Sequence, residues 1–281
     1  MLLDRGRFNI TPRRGLVWAL IITWVSATMG CATTPVEREK RQGNPHDQYT
    51  TEGRRIAADP VGYLRELKDR CDRLAQYRLT FYRQERLGII PSLGNMEEIR
   101  AAFRQSPFSV KFNWDDDSMP FFESVYVKGQ NNDKMLIRER KGLFPFPPQV
   151  RILDVQAPVV FGKAKNPITA FGLSQLASRT LAPFDDPQLA GIMRISYEGL
   201  KPIEPTQRLA HHFRIERPPT TGYRYTRQDF YVDAETQLPS GTDLYLKTGE
   251  LDARYRYADI ETDVTLTDED FRLDEDHPET N

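Results

Sequence analysis

The chain has 281 residues, with 39 Lys plus Arg against 40 Asp plus Glu and 39% apolar content. That length accommodates one core-forming domain with appendages, and 15 Phe and 12 Tyr exclude disorder from end to end. The near-zero charge, with both signs interspersed, lacks the clustered basic field that nucleic acid requires. In chain order, Arg5, Arg7, Arg13 and Arg14 precede an apolar run from Leu16 to Val25 that ends in small residues, so residues 1–30 are predicted to be a signal peptide. The run is too short and too polar for the ~20 residues of a spanning helix.

Gly30 followed by Cys31 resembles the lipobox of bacterial lipoproteins, whose Cys is acylated and becomes the mature amino terminus. Thr28 and Met29 depart from the family's preferred residues at the two positions before Gly30. The resemblance implies a membrane anchor through an acylated Cys31, with palmitate among the acyl groups. Because Ala32 is not Asp, it also implies the periplasmic face of the outer membrane. The alternative is an ordinary secretory signal, with Cys31 a free thiol or paired with Cys71, the second of only two Cys.

Residues 31–58 are polar and interrupted by Pro35, Gly43, Asn44, Pro45 and Gly53, and are expected to form a flexible tether. Asp59 offers an N-cap and Pro60 a first helical position for a helix to about Gln76. Its apolar face carries Val61, Leu64, Leu67, Cys71 and Leu74, where a thiol behaves as a small hydrophobe. Strands follow where Tyr77, Leu79 and Phe81, then Phe108, Val110, Phe112 and Trp114, alternate with polar residues. A hairpin is read over Val125 to Arg138, turning at Gly129 to Asp133. Asn166 and Pro167 are expected to open a second helix to Arg179, and five strands are read between Ile192 and Ile260. One helix, many antiparallel strands and an inserted second helix predict an α+β domain over 59–271, a curved sheet wrapped around the N-terminal helix. Residues 272–281 read as an acidic, solvated tail.

Several short segments in this order resemble the bacterial envelope family named domain of unknown function fifteen seventy-one. They are Gln84-Glu85-Arg86, Pro107-Phe108-Ser109-Val110, Tyr126-Val127-Lys128-Gly129 with Asn131, and Pro167-Ile168-Thr169 with Gly172-Leu173. Tyr231-Val232-Asp233 leading to Leu238-Pro239, and Tyr255-Arg256-Tyr257 leading to Asp259, Leu266-Thr267, Asp270 and Phe271, agree with that family's closing strands. The family is in turn similar to the LolA and LolB lipoprotein carriers, which implies by analogy an unclosed antiparallel barrel holding an acyl chain under a helical lid.

The sequence offers no catalytic constellation. His211 and His212 are adjacent in a strand and point to opposite faces, so a shared metal is not expected; one is read as facing the sheet and one solvent. His46 and His277 fall in the predicted disordered ends. Asp115-Asp116-Asp117 lacks the alternating ligand spacing of a calcium loop and reads as a solvated turn. Neither G-x-G-x-x-G, G-x-x-x-x-G-K nor a G-x-S-x-G elbow occurs, so no cofactor and no enzymatic activity are expected. Glu85 and Arg86 are candidates for either a structural pair or a ligand contact. Phe144 and Phe146, set between Pro145, Pro147 and Pro148, are candidates for a flap that covers the concavity or contacts a partner, the alternative being an irregular loop that plugs the core. These features suggest an envelope lipoprotein that binds a lipid, acyl chain or lipoprotein in the concavity. The alternative is a structural or interaction lipoprotein with a self-filled core that binds an envelope protein.

Overall fold

The computed structural model describes residues 45–140, 149–160 and 162–274. Two helices open it, α1 (Pro45–Ala58) and α2 (Pro60–Asp72), followed by strands β1 (Gln76–Leu87), β2 (Ser92–Leu93), β3 (Glu97–Arg104), β4 (Ser109–Asn113), β5 (Phe121–Val127), β6 (Met135–Glu139) and β7 (Val150–Leu153). A short helix α3 (Ala157–Val160), a single 3-10 turn (Ile168–Ala170) and helix α4 (Leu173–Asp185) lead into β8 (Arg194–Ile203), β9 (Arg208–Glu216), β10 (Arg227–Asp233), β11 (Pro239–Tyr245) and β12 (Leu251–Glu261). The domain is α+β. Every pairing is antiparallel, in the order β7-β6-β5-β4-β3-β1-β12-β11-β10-β9-β8, with β2 on β1 only. β7 and β8 are the unpaired ends, so the curved sheet stays open.

Period-two alternation decides what each strand presents. Along β1, Tyr77, Leu79 and Phe81 enter the core, and the same face continues to Arg83 and Glu85. In β9 the inward set is His211, Phe213 and Ile215, all fully buried. On α2, Tyr63, Leu64, Leu67 and Cys71 recur at helical spacing and are buried, and Tyr63 stacks on Phe213 with centroids 5.5 Å apart. Asp59 caps this helix by accepting the Gly62 N–H at 2.8 Å, as its sequence position suggested. Burial pushes the Cys71 thiol up to about 12, which keeps it protonated and apolar.

Four expectations are corrected. Pro45–Ala58 is a helix, not part of a flexible tether: Ile56 is fully buried, Arg55 bridges Glu52 and Glu66, and Gly53 packs against Tyr197. Its polar sequence gives little intrinsic stability, and tertiary contact supplies the rest. The second helix begins at Leu173 instead of Pro167, because Gly172 takes φ 130° and breaks the chain between the 3-10 turn and α4. A Cβ at Gly172 would lie 2.9 Å from the Phe103 ring, so glycine is required there. No side chain caps α4; instead the Tyr77 hydroxyl accepts the Leu173 N–H at 2.8 Å.

The acidic tail also starts later than 272. The Asp274 N–H donates to Glu123 at 3.0 Å, and Phe271 packs with Leu266 on Val125 and Val127 against the outer face of the sheet. Finally, His212 does not face solvent. It is buried on the outer face, stacked on Tyr231 at 5.0 Å and near Asp229. The Asp115–Asp117 turn is exposed as expected, with Asp115 paired to Arg100 and Asp117 to Arg140. Cys31, His46, His277, Phe144 and Phe146 lie outside the residues described, or have no side chain described.

Candidate functional site

The concave face is not filled. A cavity of about 430 Å³ lies between the sheet and the segment from Lys163 to Ala182, floored by Phe81, Phe112, Tyr255 and Tyr257 and roofed by Phe171 and Leu176. Aromatic rings set its shape: Phe171 meets Phe112 edge-on at 4.9 Å and Phe81 at 5.2 Å. The helix over this space is α4. α2 covers the other part of the concavity, towards β8 and β9, where side chains such as Phe213 close the core.

The sequence candidates separate here. Glu85 lines the cavity and is buried, accepting the Tyr255 hydroxyl and the Lys165 N–H (3.1 Å). Its partners tie the loop before the 3-10 turn to the sheet, and the Lys165 ammonium reaches the fully buried Asp252 at 3.0 Å. Arg86, one residue on, belongs to the opposite face, where it donates to the Leu251 and Pro91 carbonyls and pairs with Glu250. Period two therefore places only one of the two in the cavity.

Arg217 is a cavity residue that the motif reading missed. It follows Ile215 by two residues, and its N–H continues the strand pairing to the Thr226 carbonyl at 2.8 Å, so it inherits the inward face. The alternation His211, Phe213, Ile215, Arg217 was visible in the sequence as three core positions ending in a cation. Only 6% of Arg217 is exposed. One terminal nitrogen donates to Gln228, itself held by Thr180 and Thr242 at 3.1 Å each, and the guanidinium lies 5.6 Å from the Tyr223 ring centroid. The other, Nη1, is buried with no partner. Burial pulls the Arg217 pKa down to about 10, and an unsatisfied buried donor on a charged group costs about 1–3 kcal/mol or more.

The fully buried His211 gives a pH signature. Burial, outweighing Glu52 and Asp233, lowers its pKa below the usual value, with the Tyr197 hydroxyl 2.9 Å from Nδ1. The unfolded chain binds a proton near pH ~6.5 whereas the folded chain does so only lower, so this stability is complete above the unfolded pKa and is lost as pH falls through the folded one. Urea unfolding is expected to show stability declining from about pH 7.5 to about pH 5.5, with His211→Gln flattening that decline. An unchanged slope in the variant would remove His211 as its source.

Among the described residues, no group of three or more His, Cys, Asp or Glu is placed to hold a metal ion, and no helix is long and apolar enough to cross a membrane.

A family model described as "Protein of unknown function (DUF1571)" matches residues 74–280. The chain belongs to the DUF1571 family. No curated protein matches the sequence. Among solved structures, this DUF1571 protein is similar to MucB at 18% identity, covering 79% of this chain and 64% of that one, with a TM-score of 0.44. The chain thus spans under two thirds of the length of MucB. It is also similar to the lipoprotein LppX of Mycobacterium tuberculosis (11% identity, 74% of this chain and 100% of that one, TM-score 0.40). A LolA superfamily protein from Nitrosomonas europaea aligns over 75% of this chain and 96% of its own at 8% identity and a TM-score of 0.27.

Proposed function

We propose that this DUF1571 protein is an exported envelope lipoprotein, anchored through acylated Cys31, that binds a lipid or acyl chain between its curved sheet and α4. The observation that carries this reading is the aromatic-lined cavity of about 430 Å³. Ligand pockets of ~300–1,000 Å³ with predominantly apolar walls and a few placed polar groups are the usual form of small-molecule sites. Burial of each methylene contributes ~0.8 kcal/mol, so binding needs no reactive group. Glu85, which lines the cavity and accepts the Lys165 N–H, is the candidate that would touch such a ligand. Phe144 and Phe146 would close the rim, and the periplasmic face of the outer membrane is the proposed location.

The test is mass spectrometry of the purified full chain, intact under native conditions and after organic extraction. The expected result is one apolar ligand per chain in both measurements. A folded protein that stays empty after incubation with envelope lipids would defeat the carrier reading and leave the second one, a structural or interaction lipoprotein that binds an envelope protein.

A further inference from the structure

The volume and the charge of the cavity together say more about the ligand than apolar burial alone. An apolar cavity of ~150 Å³ accommodates a benzene ring; at about 430 Å³ this one has roughly three times that room, on the order of one acyl chain and not the several carried by a lipoprotein terminus. Its charged lining comprises Arg83, Lys163, Arg179 and Arg217 against the single carboxylate of Glu85. Arg83 is neutralised by Glu97 at 2.6 Å. Among the described residues, Lys163, Arg179 and Arg217 form no ion pair. Lys163 and Arg179 are exposed, whereas Arg217 is buried with Nη1 unpartnered.

A buried guanidinium whose polar partner is a neutral amide, Gln228, is short of the anion that normally accompanies it. Resting on the carrier reading, we infer that the ligand is a single-chain amphiphile with an anionic head, and that Arg217 is the group that reads the charge. The exposed Lys163 and Arg179 draw the head towards the cavity, and the acyl chain lies along Phe81, Phe112 and Phe171. Nη1 is closed off in the present arrangement. The partly exposed Tyr223, whose ring faces the guanidinium and which also lines the cavity, is the side chain the head displaces to reach it. A carboxylate and a phosphate monoester both fit this description.

The full chain, stripped of co-purifying lipid, is titrated with palmitate, hexadecyl phosphate and hexadecanol, read by fluorescence of Trp114, which lines the cavity. Palmitate or hexadecyl phosphate is expected to bind roughly tenfold to hundredfold tighter than hexadecanol, the ratio of a charge-assisted hydrogen bond. Whichever anion wins identifies the source as a fatty acid or a phosphorylated lipid. Arg217→Gln is expected to bring the ratio to about one, and Arg217→Lys to keep part of it. Equal binding of hexadecanol, or a ratio that survives Arg217→Gln, overturns the inference and leaves the carrier reading standing. Failure of all three probes to bind overturns both. Should Arg217→Gln not fold, the wild-type ratio and Arg217→Lys still decide.

Discussion

Replacing Glu123 by Gln is expected to cost about 3 kcal/mol of unfolding free energy, the lower end of the range for breaking a buried ion pair from one side. Glu123 is fully buried on β5 and accepts from Arg138 Nε at 2.9 Å and the Asp274 N–H at 3.0 Å, with Lys111 Nζ at 3.3 Å. The amide keeps the size of the side chain but leaves the buried Lys111, which also donates to the Arg272 carbonyl, with Asp274 as its remaining carboxylate, and that residue is half exposed. It also weakens the pin that holds the carboxyl-terminal segment over Val125 and Val127. Denaturant unfolding of both proteins measures the difference. A loss below about 1 kcal/mol would mean that the carboxylate is not the charge that balances Lys111 and Arg138.

A larger side chain at Ala170 should remove binding while sparing the fold. Ala170 sits on the 3-10 turn, is half-buried and lines the cavity, so an indole there takes ligand space without displacing a packed side chain. Each methylene excluded forfeits ~0.8 kcal/mol, so excluding roughly four weakens an acyl ligand by about 3 kcal/mol, a factor of over about 100. Retention of labelled palmitate by Ala170→Trp, measured by gel filtration, is therefore expected to fall to background, with unfolding free energy within about 1 kcal/mol of the parent. Undiminished retention would place the ligand elsewhere.

The Ala170 variant probes one architectural feature. The curved sheet has more concave surface than α2 alone covers, and α4 closes the remainder only in part. Where α2 lies, Tyr63 and Phe213 complete a packed core; under α4, inward-facing polar and charged groups from β1, β10 and the residue after β9 line the open space.

The sequence by itself determined the parts of this protein that depend on local periodicity. Alternation along Tyr77–Phe81 and Phe108–Trp114 specified strands with one buried face, the three-and-four spacing from Val61 to Leu74 specified the stripe of α2, and Cys71 was legible as a core residue within it. The order of short segments from Gln84 to Phe271 specified the family. Tertiary structure decided what periodicity cannot encode. α1 is a helix because Ile56 finds a buried site and Arg55 finds Glu66, neither visible in a polar stretch. α4, not α2, lies over the cavity because the Gly172 break and the Tyr77 hydroxyl fix where it starts. Glu85 and Arg217 share the inward parity of their strands, yet one meets Tyr255 and the other meets no carboxylate among the described residues. Parity assigns a side chain to a face; only the packing of distant segments assigns it a partner, and here that difference separates a carboxylate that accepts from Tyr255 and Lys165 from a guanidinium with one buried nitrogen unpartnered.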